Sequence, residues 1–189
     1  MSLKLYMVRH GQAECNLAEV FHDDSKDELT MVGKMQAVSA GRNLKDYDVD
    51  FDAVYCSPYE RTMATCAIAL DNAGLKDMLK NVHYDERLVE RRLTGLFDKK
   101  FDKDEWVYLQ SLNPEVAVNA GIETFDSMEK RAQSFISEMR AIYPNGDILV
   151  FTHGLIELAF YATAYGRPTS GNTYDLPLLN NAEMRIYEF

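Results

Sequence analysis

The 189-residue sequence predicts an α/β fold, a helix-covered and mainly parallel sheet, on three observations. Short apolar runs such as Leu3 to Val8 and Ile148 to Phe151 lack polar alternation, as strands buried on both faces do. Between the runs lie longer stretches with apolar residues at three- and four-residue steps, and strands alternating with helices imply parallel pairing. Two of the runs end alike, in His10-Gly11 and His153-Gly154. In such sheets the carboxyl ends of the strands and the N-termini of the following helices share one edge, where ligands bind.

Leu3 to Val8 is the first strand, with a turn at Gly11. Thr30 is placed to N-cap a helix that carries Met31, Met35, Val38 and Leu44 on one face. Asp52 to Cys56 is a second strand. Ser57-Pro58-Tyr59-Glu60 then predicts a helix start, with Ser57 at the N-cap, Pro58 at N1 and Glu60 at N3. That helix lines one side with Tyr59, Thr62, Met63, Cys66, Ala67 and Leu70, and Gly74 stops it. Asn81 to Tyr84 reads as a third strand.

From Gly95 to Gly121 the pattern loosens into mixed charged and aromatic residues, which predicts an irregular or short-helical lid with Trp106 or Tyr108 as an apolar wall. A long helix follows, carrying Phe125, Met128, Ala132, Phe135, Ile136, Met139 and Ile142, until Pro144-Asn145-Gly146 breaks it. The chain closes with a strand through "DILVFTHG", a helix from about Leu155 and a strand from Glu183 to Phe189. No internal repeat or break in composition divides residues 1–189, so one domain is expected.

At 47% hydrophobic residues the chain has the material for a core, and a domain of this size buries roughly 70% of its unfolded surface. The net charge of −10 and pI near 4.8 argue against nucleic acid or an anionic membrane as partner, since both reward basic surface. Any bound anion must be held by local positive groups. Cys15, Cys56 and Cys66 are odd in number and lack C-x-x-C spacing, so they read as small buried residues in a reducing cytoplasm. No run is long enough to span a bilayer, and no signal-type region opens the chain.

Arg9, His10 and His153 leave strand ends on one edge, and Arg61 lies in the first turn of the helix after the second strand. Two imidazoles and two guanidiniums at helix N-termini describe a pocket for a dianion, with phosphate the leading candidate. Guanidiniums hold phosphoryl oxygens bidentately and keep their charge, and a neutral imidazole attacks phosphorus. A second histidine, when protonated, adds charge, and an acid must protonate the departing oxygen. Glu86 and Glu90 in "DERLVERRLTG" both qualify as that acid, and Asn16 offers a neutral donor. Taken alone, an Arg-His pair reads as a surface salt bridge, Glu90 as a solvated ion-pair residue, and His22 and His83 as surface residues. The spacings that make metal sites specific are absent, so no metal is expected.

"VRHGQAECN" resembles the Arg-His-Gly signature of the histidine phosphatase superfamily, which includes cofactor-dependent phosphoglycerate mutases and many small-molecule phosphatases. In family order, "LTMVGKMQA", "SPYERTMATC", "RLVERRLTG", "GIETFDSMEKR" and "LVFTHG" resemble its further segments. The resemblance implies a three-layer α/β/α sandwich and a phosphohistidine at His10. It sets Arg9, Asn16, Arg61, His153 and Gly154 around the phosphate, makes Glu90 the proton donor, and implies no metal or organic cofactor. Mutases carry Phe-Ser-Gly where this chain has Phe21-His22-Asp23, and a Tyr-Gly-Gly segment where it has Leu93-Thr94-Gly95. The expectation is therefore a phosphatase of a small phosphorylated metabolite, with a mutase or a non-catalytic phosphate-binding module as the alternatives.

Overall fold

A computed structural model describes residues 2–20, 26–96, 99–100, 114–170 and 173–189. Its strands are β1 (Lys4–Arg9), β2 (Ala53–Cys56), β3 (His83–Tyr84), β4 (Asp147–Thr152) and β5 (Met184–Glu188). They form one sheet in the order β3-β2-β4-β1-β5. β4 pairs in parallel with β1 and β2, β2 pairs in parallel with β3, and β5 runs antiparallel to β1. The helices are α1 (Glu14–Ala18), α2 (Met31–Asp46), α3 (Glu60–Ala73), α4 (Pro114–Asn119), α5 (Phe125–Ile142) and α6 (Gly154–Tyr165).

Side chains alternate across a strand, so each central strand feeds two cores. Leu5, Met7, Ile148 and Val150 pack with Phe135, Ile136 and Met139 of α5 and with Ile156, Ala159 and Phe160 of α6. On the other face Tyr6, Val8, Leu149 and Phe151 pack with Ala40 and Leu44 of α2 and with Cys66, Ala69 and Leu70 of α3. This is a three-layer α/β/α sandwich. The apolar runs lack alternation because both faces are covered.

α5 follows its predicted face: Phe125, Met128, Ala132, Phe135, Ile136 and Met139 are buried, and the Thr124 side chain caps it by accepting from Ser127 N. Ile142, in the last turn, stays exposed. α2 starts after Thr30 as predicted, with the Thr30 side chain accepting from Gly33 N, but it buries a different face. Met31 and Met35 are exposed, while Gly33, Ala37, Ala40, Gly41 and Leu44 are buried. The physical reason is close helix packing: a Cβ on Gly41 would stand 2.3 Å from the Ala69 carbonyl oxygen of α3. Small residues face inward there, and the long methionines point out.

The start of α3 also differs from its expectation. Tyr59, not Ser57, is the N-cap, with no side-chain cap bond. Ser57 still belongs to the sheet edge, where its N–H donates to Phe151 O at 3.0 Å. Gly74 ends α3 in the left-handed conformation, φ 80°. The third strand shrinks to His83–Tyr84 because Lys76–Asn81 winds into a 3₁₀ turn. At the two ends of the stretch predicted as a lid, Leu93, Leu96, Ala117 and Ile122 pack together. His22, Trp106 and Tyr108 lie outside the described residues. Among the described residues no helix is long and apolar enough to cross a membrane.

Candidate active site

Parallel pairing brings three strand ends to one edge: Arg9 stands opposite Thr152, and Cys56 opposite Phe151. One residue further along each chain, His10, His153 and Ser57 become lateral neighbours. The His10 N–H donates to Thr152 O at 3.0 Å, and the two imidazole rings lie 5.2 Å apart, edge to face. Both rings are buried.

His10 Nδ1–H donates to the Gly11 carbonyl at 2.7 Å. A carbonyl only accepts, so the proton sits on Nδ1 and Nε2 keeps its lone pair. Burial, then Arg61 and Arg9, holds the His10 pKa well below its ordinary value. His153 Nε2 meets Ser57 Oγ at 2.8 Å, and its Nδ1 has no hydrogen-bond partner among the described residues. Burial, Arg61, His10 and Arg9 hold its pKa well down too, which favours the neutral ring. A negative charge beside the ring would act in the opposite direction, favouring its protonated form.

Arg9 is fixed by its Nη1, which donates to Leu179 O, and by its packing on α6. A Cβ on Gly154 would meet Arg9 Nε at 3.1 Å and Cζ at 3.2 Å, so glycine lets the guanidinium lie against the helix N-terminus without being pushed back. Arg61 is 2% exposed, 3.8 Å from Asp27 Oδ2, with its guanidinium 5.1 Å from the centre of the Tyr59 ring. Tyr59 in turn stands edge-on to His153 at 5.1 Å. Asn16 is half-buried on α1; its Oδ1 accepts from Ala13 N at 3.0 Å and lies 3.5 Å from Asn181 Nδ2. Asn181 Nδ2 also donates to the His10 carbonyl at 3.1 Å.

The two carboxyl candidates separate clearly. Glu86 is exposed on a 3₁₀ turn. Glu90 accepts from Leu155 N and Ile156 N, each at 3.1 Å, so it caps α6 beside Gly154, and its charge stabilises Arg9. Sequence reading overlooked Asp27, Asn181 and the structural duty of Ser57. No local signal marks them, since each acts on a partner distant in the chain.

The opening loop owes its course to a pair of glycines. A Cβ on Gly11 would be 2.4 Å from Gly33 O, and one on Gly33 would be 2.0 Å from Gln12 O. Two backbones cross there in contact. The Gly11 N–H donates to Thr65 Oγ1 at 3.0 Å, which ties the His10 loop to α3.

The chain is similar to known proteins in sequence and in fold. A 2,3-bisphosphoglycerate-dependent phosphoglycerate mutase of Allorhizobium ampelinum is 30% identical over 162 residues, 82% of this chain and 75% of its own. The mutase of the same description from Rhizobium meliloti is 36% identical over the same shares. Among solved structures, mycobacterial glucosyl-3-phosphoglycerate phosphatase superposes with a TM-score of 0.79 at 22% identity, over 97% of this chain and 91% of that one. A phosphoglycerate mutase from Bacillus anthracis gives 0.79 at 20% identity, over 99% and 88%. The sequence model that describes the histidine phosphatase superfamily (branch 1) matches residues 5–189, from the first strand to the last residue, and the chain belongs to that family.

Proposed function

We propose that the chain is a metal-independent phosphomonoester hydrolase that acts on a small phosphorylated metabolite through a phosphohistidine at His10. The observation that carries this reading is the His10 tautomer, with Nδ1–H spent on Gly11 and the Nε2 lone pair free to attack. Nε2 bonds to phosphorus as the ester P–O bond breaks, and Glu90 gives its proton to the departing oxygen. Glu90 then takes a proton from water, whose oxygen bonds to phosphorus as the P–N bond breaks. Arg9, Arg61, Asn16 and the amide end of α6 at Gly154 hold the non-bridging oxygens. His153 takes up charge as the dianion enters. The acidic surface argues for a free metabolite over nucleic acid or a membrane, and the three free cysteines fit a reducing cytoplasm.

The test is acid-quenched trapping with an aryl phosphate and a chelator. Wild type should release phosphate and carry acid-labile label, and His10→Ala should do neither; full activity in His10→Ala would overturn the reading. Its similarity to the curated mutases favours a second reading, phosphoryl transfer between sugar-acid hydroxyls. Against it stand Phe21-His22-Asp23 and Leu93-Thr94-Gly95, where mutases carry Phe-Ser-Gly and a Tyr-Gly-Gly segment. Isomerisation of 3-phosphoglycerate that depends on the bisphosphate would decide for the mutase. Tight phosphate binding with no turnover of any ester would indicate a binding module.

A further inference from the structure

The segment from Gly121 to Arg131 takes no part in the proposed reaction, yet it carries a largely buried ion pair beside the proposed acid. Glu123 stands just before the Thr124 cap of α5, and Arg131 lies two turns into that helix. Helix side chains lean toward the N-terminus, so Arg131 reaches back to Glu123. Its Nε donates to Glu123 Oε1 at 2.9 Å and its Nη2 to Oε2 at 2.7 Å, a bidentate pair. The two side chains are 13% and 5% exposed. The third nitrogen reaches beyond the pair: Nη1 donates to the Arg87 carbonyl at 2.8 Å and to the Val89 carbonyl at 3.0 Å. Val89 directly precedes Glu90. Glu123 holds the chain on the other side of Glu90, since its Oε2 accepts from Arg92 N at 3.2 Å and its own N–H donates to Arg92 O at 2.8 Å.

We propose that Arg131, oriented by Glu123, is a positioning residue that fixes the chain around Glu90 and thereby the place from which its carboxyl delivers a proton. The proposal rests on the reading of Glu90 as the acid. Val89 to Leu93 lies in neither helix nor strand, so side-chain bonds take the place of a backbone ladder there. Thr152 Oγ1 adds one to Leu88 O at 2.9 Å, from the end of β4 next to His153. The clamp sets the backbone of Glu90, and the amides of Leu155 and Ile156 set its carboxyl, each at 3.1 Å. Placement matters for such a group, because a shift of about 1 Å costs up to about a hundredfold in rate. Lysine at position 131 would keep the charge but lacks the planar fork, so it cannot hold a carboxylate and two carbonyls together.

Proton delivery matters to an alkoxide and little to a nitrophenolate, so the ratio of kcat/KM on glycerol 2-phosphate to kcat/KM on 4-nitrophenyl phosphate isolates the acid. That constant ends with departure of the alcohol, so hydrolysis of the phosphohistidine does not enter it. Arg131→Lys should lower the ratio roughly tenfold or more, and Glu123→Gln should lower it in the same direction. Arg131→Lys added to Glu90→Gln should lower it no further. Urea unfolding identifies the folded variants; should Arg131→Lys not fold, Glu123→Gln, which keeps the shape of the carboxyl, carries the test. A merely structural pair would lower both constants alike and leave the ratio unchanged, which overturns the proposal. A further fall of the ratio in the Glu90→Gln background overturns it too. Wild type that spares glycerol 2-phosphate, or Glu90→Gln with the wild-type ratio, overturns Glu90 as the acid and the proposal with it.

Discussion

His10 and His153 are chemically alike in the sequence and differ in the fold through one partner each. Gly11 takes the Nδ1 proton of His10, while Ser57 engages Nε2 of His153, so the two rings turn different nitrogens to their surroundings. The proposed reaction takes Glu90 as its acid, since the α6 amides hold it beside Gly154 while Glu86 faces solvent. An alkoxide departs only with a proton, whereas a nitrophenolate departs without one. Glu90→Gln should therefore slow turnover of alkyl phosphates by roughly a hundredfold or more, with little effect on an aryl phosphate. Steady-state rates on the two esters check this, and an equal loss on both would assign Glu90 to binding alone.

At the scale of elements, helix packing and loop crossing set the site more than helix propensity does. α2 lies against α3 through small residues, and its methionines face solvent. Met35→Lys should therefore change stability by no more than about 0.5 kcal/mol. Gly33→Ala forces a methyl into a contact of 2.0 Å with the Gln12 carbonyl, next to the loop that carries His10. Overpacking against backbone should cost about 2–3 kcal/mol or more. Urea unfolding of the pair measures both, and equal midpoints would show that α2 packs otherwise.

For the whole molecule, the buried ionisable groups set how stability responds to pH. His10 and His153 have pKa values held well below 6.5, so below that pH the unfolded chain binds protons that the native one refuses. Stability then falls as pH drops, by up to about 1.4 kcal/mol per pH unit for each histidine. Glu157, raised from 4.5 to about 7, does the opposite: the native chain keeps a proton that the unfolded one has lost. Its contribution is present at low pH and fades as pH rises toward 7. With two histidines against one carboxyl, the melting temperature should fall on acidification below about pH 6.5. His153→Gln should flatten that fall and Glu157→Gln should steepen it, as calorimetric scans across pH would show.

By itself the sequence determined the layered architecture and the strand ends that carry Arg9, His10 and His153. Periodicity is local, and apolar runs without alternation admit few arrangements other than a covered parallel sheet. The same periodicity misplaced the buried face of α2, because apolar size does not reveal how closely two helices approach. The Ser57 cap failed for a related reason: the local start signal competes with a sheet edge supplied by Phe151, far along the chain. The resemblance singled out Glu90, and only the fold brings the carboxyl to the α6 amides while leaving Glu86 in water. Asp27 beside Arg61, Asn181 beneath His10 and Glu157 against Arg185 and Tyr187 were decided by tertiary structure alone. Each is an electrostatic or hydrogen-bonding partner brought close by chain crossing, and one-dimensional spacing holds no record of such distances.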